Sequence, residues 1–206
     1  NVTVNKNLTI DGASFEYTGT MTVNTSLTVT VQNVKFVKGC VTEAKGIHGN
    51  LKIADCTFDG VDNSIAYAVT MRGGDSITIE NCTVIGGYDY GFVYIPSAVT
   101  NITLKDVKVD NASYGIHVAY GTTVTLENVE MTENVKYGVF TQNYGAKTIT
   151  IKTSSLAAES PIFVWERTTN IDTFVFEGNN TVAKLTNVGS AALKLKVGAT
   201  LAAPAT

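Results

Sequence analysis

The chain has 206 residues, 44% hydrophobic and 16% charged, with a formal net charge of −3. Lysines and acidic residues are interspersed without a basic stripe, and no apolar run reaches the length of a membrane span, so neither a nucleic acid partner nor membrane insertion is expected. The length suits one extended core and no Pro/Ser-rich linker interrupts it, so a single domain over residues 1–206 is expected.

From Leu8 onward one pattern recurs. Two apolar residues flank an outward one, Asn, Asp or Gly stands at the fifth position, and the sixth and eighth positions are again mostly apolar. The copies begin at Leu8, Val29, Leu51, Ile77, Ile102, Val124, Ile149 and Phe174, at intervals of 21 to 26 residues. The alternation in the first half of each copy predicts a strand with one buried face, leaving Thr9, Thr30, Thr78, Thr103, Thr125 and Thr150 outward. Because the alternation slips by one residue after the third position, a corner is predicted at Gly12, Asn33, Asp55, Asn81, Asp106, Asn128, Thr153 and Gly178. These are mostly residue types that tolerate left-handed backbone. Stacked corners are expected to form a side-chain ladder.

A second strand follows each core strand, as in Ala68 to Met71, Gly91 to Ile95, Gly115 to Ala119, Gly138 to Gln142 and Ile162 to Glu166. Three tyrosine-glycine pairs stand at its start: Tyr90-Gly91, Tyr114-Gly115 and Tyr137-Gly138. Turns of this length, made of strands and corners without a helical segment, predict one coil of a parallel β-helix each. The segments SITIENCTVIGG (76–87) and NASYGIHV (111–118) resemble the generic coil repeat of the right-handed parallel β-helix, or pectin lyase-like, superfamily, which holds pectate lyases, polygalacturonases and many bacterial surface and phage proteins. The resemblance covers nearly the whole chain. It implies an all-β right-handed parallel β-helix of about eight coils, and it does not fix an activity.

Cys56 and Cys82 occupy the same position in consecutive coils, in a column with Val34, Val107 and Val129, and are expected as buried free thiols; Cys40 lies outside the pattern. No Cys/His spacing suggests zinc, and no cofactor is expected, calcium entering only if the chain were a lyase. Seven Asn-x-Ser/Thr sequons, at Asn1, Asn7, Asn24, Asn81, Asn101, Asn111 and Asn179, follow from an Asn- and Thr-rich composition. The start at Asn1 and the absence of an obvious capping helix suggest a fragment of a larger secreted or cell-surface protein, with residues 185 to 202 or other domains of the parent covering the ends.

Continuing the alternation into the second strand places Ile47, Val69, Phe92, Ile116, Val139 and Phe163 inward. Their successors His48, Thr70, Val93, His117, Phe140 and Val164 then face out, followed two residues on by Arg72, Ile95, Ala119, Gln142 and Glu166. A shallow glycan-binding face is expected there, with His48, Arg72, Val93, His117, Phe140, Gln142 and Glu166 as its contacts and an exposed Phe140 as its main stacking ring. The tyrosines of the Tyr-Gly pairs and Trp165 have inward parity and read as core or rim. His48 and His117 stand three coils apart, too far to share a metal.

The alternative is a polysaccharide lyase or glycoside hydrolase using loop acids Asp59, Asp62 and Asp89, with Asp110 and Glu133 nearby. Ile47-His48-Gly49 is faintly similar to the hydrolases' Gly-His-Gly, but their other motifs are absent. A third reading, an ice-binding threonine array on the first strands, is weakened by Lys52 and by the neighbouring charged column Asp11, Gln32, Glu80, Lys105, Glu127 and Lys152.

Overall fold

The computed structural model describes residues 1–46, 49–62, 64–142, 144–167, 172–182, 184–189, 194–197 and 201–202, with backbone placement alone at 166–167, 185, 187–189, 194–197 and 201–202. The described residues contain strands and turns and no helix.

The chain winds through three parallel ladders, contributing one strand to each per coil. The first consists of Leu8–Asp11, Thr28–Gln32, Asn50–Ala54, Ser76–Glu80, 101–105, 123–127, Thr148–Lys152, Thr173–Glu177 and Lys194–Val197. The second runs from 16–17 and 35–37 through Thr57–Asp59, Thr83–Gly86, 107–109, 129–131 and Ser155–Leu156 to Asn180–Val182 and Leu201–Ala202. The third comprises Val2–Val4, 19–23, 39–43, Tyr67–Thr70, Gly91–Ile95, Tyr114–Val118, Tyr137–Thr141, Ser160–Arg167 and Leu185–Gly189.

The phase of the repeat survives residue for residue. Leu8, Val29, Leu51, Ile77, Ile102, Val124, Ile149 and Phe174 form one column of paired Cα atoms, and Leu195 extends it. Of the segment 185–202 expected over the C-terminal end, the described strands Leu185–Gly189, Lys194–Val197 and Leu201–Ala202 pair in the three ladders instead. They continue the winding, because Lys194-Leu195-Lys196-Val197 alternates as the earlier core strands do.

The corners are where the sequence places them. Asn33, Asp55, Asn81, Asp106, Asn128 and Thr153 have φ between 48° and 55°, and Gly178 has φ 68°. Each non-glycine residue there carries a cost of about 1–2 kcal/mol. Keeping the corner amides in the coil-to-coil ladder offsets it: Asp55 N donates to Glu80 O at 3.1 Å and Asn81 N to Lys105 O at 3.0 Å. Gly12 departs from the pattern, since the left-handed residues in that coil are Ala13 and Ser14. The expected side-chain ladder is also partial among the described residues. Asn128 Nδ2 donates to Asp106 Oδ1 at 2.6 Å, whereas Asn33 turns to Asp11 at 3.1 Å. Corner side chains lie near the surface, where water satisfies the remaining amides.

Inside, columns of Val, Ile and Leu run parallel to a phenylalanine stack, with Phe36 and Phe58 4.9 Å apart at 3° and Phe92 5.7 Å beyond Phe58. Cys56 and Cys82 are buried free thiols in the column of Val34, Val107 and Val129, and Cys40 is free and buried as well. Further along that column Ser154 and Asn180 replace apolar residues and satisfy each other. Val129 N donates to Ser154 Oγ at 3.0 Å, and Ser154 N donates to Asn180 Oδ1 at 2.8 Å. On the outer face of the first ladder Lys52 interrupts the threonine column and pairs with Glu80 at 2.6 Å, while the column beside it is an ion-pair ladder of Glu127 with Lys152 at 3.1 Å and Lys105 at 3.7 Å. These fixed charges break the uniform hydroxyl array that the ice-binding reading needs.

Candidate ligand-binding face

The third ladder carries an outer face unlike the others, and glycine explains how. In its central strands two successive residues point inward: Phe92 and Val93 are both fully buried, and Gly115–Ile116 and Gly138–Val139 occupy the same places. A Cβ on Gly115 would lie 2.7 Å from Met131 Sδ, so a side chain there would collide with the core. The doubled inward step turns both flanking residues outward. Tyr114 and His117, and likewise Tyr137 and Phe140, thus project from the same side of the sheet.

In register, Tyr67, Gly91, Tyr114, Tyr137 and Ser160 form one column, and Thr70, Tyr94, His117, Phe140 and Phe163 the next. Together with Tyr90 and Trp165 they make a continuous strip of nine aromatic rings. Neighbours lie at centroid distances such as 4.7 Å for Tyr94–His117, 5.3 Å for Tyr114–Tyr137, 5.3 Å for Phe140–Phe163 and 6.0 Å for Phe163–Trp165. Gly91 leaves the gap that completes it. Its Cβ would lie 2.1 Å from Tyr114 O, so that place in the tyrosine column is necessarily empty. Tyr67 reaches across it to Tyr114, and its hydroxyl hydrogen-bonds His117 Nδ1 at 2.8 Å, two coils away.

Burial among these rings pushes the His117 pKa down to about 4, against the upward pull of the neighbouring Gln142 amide, so the imidazole is neutral at physiological pH. Burial raises the Tyr67 and Tyr114 phenols as well, with nearby tyrosines adding to the shift. What the strip offers to solvent is uncharged ring surface and phenol oxygen: Tyr90 is 49% exposed and Trp165 40%, with Tyr94, Tyr114 and Tyr137 half-buried between them.

Several expected contacts move. Val93 is inward, as is Val164, while Phe163 is outward, because the reading of the alternation is one residue out of register in those two coils; Tyr94 takes the place assigned to Val93. His117 and Phe140 do face outward, but at 8% and 5% exposure they lie beneath their neighbours, so Phe140 is not the open stacking ring. The tyrosines taken for core or rim, and Trp165, supply the accessible surface instead. Arg72 is exposed and Gln142 half-buried beyond the strip's edge, and Ile95 is buried. His48 lies outside the described residues, as does the side chain of Glu166.

The loop acids of the enzyme alternative are engaged locally. Asp62 takes Lys38 Nζ at 2.6 Å and the Ser64 amide, which hold its carboxyl down at about 2, and Asp59 Oδ1 accepts from Val61 N. Asp110 accepts hydrogen bonds from Thr132, Asn134 and Asn111 N. Among the described residues no three His, Cys, Asp or Glu side chains are grouped so as to hold a metal ion. Asp89 stands apart from Asp59 and Asp62 in function of place: it lines a polar cleft of about 250 Å³, with Asn111, Ser113, Asn134 and Lys136, along the tyrosine edge of the strip.

Residues 1–156 match the family model described as a right-handed β-helix region. The chain belongs to that family. The match covers 156 of its 206 residues and gives the hand of the solenoid whose ladders are described above. No curated protein and no solved structure matches the chain. The right-handed β-helix is thus the scaffold, and the aromatic strip is what this member builds on it.

Proposed function

We propose that this right-handed β-helix is a non-catalytic, adhesin-like module of a secreted or cell-surface protein and that it contacts a polysaccharide or surface glycan through the third ladder's outer face. The nine-ring strip carries this reading. Sugar rings stack on aromatic faces because their C–H faces bury apolar area that would otherwise be hydrated, while phenol hydroxyls remain available for hydrogen bonds. The coil repeat of about 4.8 Å is close to the length of one sugar unit, so a chain lying along the helix axis meets a new ring at each step. No helix among the described residues is long and apolar enough to cross a membrane.

The test is a glycan array probed with wild type and with the Tyr114→Ala/Tyr137→Ala double variant. Binding by wild type that falls about tenfold or more in the variant supports the reading, given a melting curve showing that the variant folds. An array without hits, or hits indifferent to both tyrosines, overturns it.

A further inference from the structure

The polar cleft beside the strip indicates what kind of glycan is bound. Ser113 and Lys136 share one register place and immediately precede Tyr114 and Tyr137, while Asp89 precedes Tyr90 one place earlier, in line with Ala112; all three line the cleft. Lys136 holds its ammonium 5.3 Å from the Tyr137 ring centroid. Among the described residues it has no carboxylate within salt-bridge reach, whereas Lys35, Lys38, Lys52, Lys105, Lys108 and Lys152 are each paired. Asp89 likewise has no cationic partner among the described residues, and both side chains are exposed.

One wall of the cleft therefore accepts hydrogen bonds through a carboxylate, and another donates through an ammonium, without the two neutralising each other. A hydroxyl is the group that suits both, since it donates to Asp89 and accepts from Lys136, and hydroxyls on successive sugar units do so in turn. A polyanionic chain would meet Asp89, and a polycationic one Lys136. A polyanionic chain would meet Glu159 as well, the exposed carboxylate beside Lys136 in the next coil.

We propose, resting on the reading of the strip as a glycan-binding face, that its ligand is an uncharged polysaccharide, successive sugar units stacking on Tyr114 and Tyr137 while their hydroxyls reach Asp89 and Lys136. Titration calorimetry of the intact chain with cellohexaose, mannohexaose and xylohexaose, against oligogalacturonate and heparin, tests it. The expected result is binding of at least one neutral oligosaccharide that changes by less than about twofold from low to high salt. It should weaken about tenfold in Asp89→Asn, in Lys136→Gln and in Tyr114→Ala. Binding confined to oligogalacturonate or heparin and abolished by salt would overturn the inference while leaving the aromatic face standing, provided Tyr114→Ala still weakens it. Neutral binding unaffected by Asp89→Asn and Lys136→Gln would overturn the cleft's role. Binding of none of the five probes would overturn the inference, and an empty glycan array would remove the underlying reading with it.

Discussion

The two aromatic columns of this solenoid share a spacing and differ in chemistry. Phe36 and Phe58 stack inside at 4.9 Å and 3°, and Phe140 and Phe163 stack outside at 5.3 Å and 3°. The coil rise sets the spacing of rings in register and leaves their tilt free, since His117 and Phe140, also in register, lie 4.9 Å apart at 79°. Composition then follows the side of the sheet. The inner column, Tyr17, Phe36 and Phe58, carries one phenol, at its end, whose hydroxyl donates to Thr20 O at 3.1 Å, while the outer strip holds five tyrosines, a histidine and a tryptophan beside two phenylalanines, because the outer face lets many polar heads reach partners or water. Ring stacking in this fold is thus no sign of function by itself; polar-tipped rings kept on the wet side are. Truncating one ring on each side separates the two roles. Phe58→Ala should cost about 3–5 kcal/mol as a core cavity and leave glycan binding at low temperature unchanged. Chemical denaturation read beside the array measures both, and equal stability losses for Phe58→Ala and Tyr114→Ala would erase the distinction.

Gly91 connects the two sides. Phe92 turns into the core beside Phe58, and the empty place at Gly91 lets Tyr67 lie across the outer strip to His117. Since a Cβ at this place lies 2.1 Å from Tyr114 O, Gly91→Ala must displace backbone. A loss of about 1–3 kcal/mol is expected, together with loss of the Tyr67–His117 bond, visible as an altered His117 imidazole resonance. An unchanged resonance would show that the gap is not what aligns the pair.

Much of the architecture was legible from residue types. The strands, the phase of the repeat and seven of the eight corners follow from alternation and from Asn, Asp, Thr and Gly at one position, since burial and left-handed backbone each restrict the choice of residue. The site was legible only in outline. Strict alternation predicts one inward residue at a time, and the double inward step at Phe92–Val93, Gly115–Ile116 and Gly138–Val139 violates it, reversing the parity of Tyr114 and Tyr137. The signal was present in two of the three Tyr-Gly pairs, Tyr114-Gly115 and Tyr137-Gly138. Reading it required knowing that the glycine faces Met131, a contact from another ladder that no local pattern records. Burial of His117 and Phe140 was equally hidden, because what covers them comes from neighbouring coils.

The two sides also answer pH in opposite directions. His117 has a native pKa of about 4 against 6.5 unfolded, so between those values the unfolded chain binds a proton that the native one refuses; its contribution to stability is lost as pH falls from about 6.5 toward 4. Glu43, buried at the end of residues 39–43, is pushed up to about 7 from 4.5 by burial, against amides of Arg72 and Gly73. Here the native state holds the extra proton, and stability is lost as pH rises from about 4.5 to 7. Each effect is at most on the order of 3 kcal/mol, and in wild type they oppose each other between about 4.5 and 6.5. Relative to wild type, Glu43→Gln should gain melting temperature above pH 7 and gain none at pH 4. His117→Phe should lose least at pH 4 and most above pH 6.5, where the neutral imidazole keeps its Tyr67 bond. Parallel melting curves for the variants and wild type across this range would refute both assignments.

The smallest expected effect on stability is the most informative about function. Tyr90 sits one register place away from the tyrosine column, in line with Ala66, Ser113 and Lys136, and is half exposed while stacking on Tyr67 at 5.6 Å. Its ring shields part of Tyr67 from water without filling a core cavity, so Tyr90→Ala should cost no more than about 1 kcal/mol. The same ring borders Asp89 and gives solvent its largest tyrosine surface in the strip. If the outer rings exist for a ligand, removing this one should weaken binding severalfold while the melting temperature moves by only a few degrees. The inner column predicts the reverse pattern, with stability falling and binding intact. Should Tyr90→Ala follow the inner pattern, the outer strip would be packing that happens to face water, and the division between the two aromatic columns would rest on composition alone.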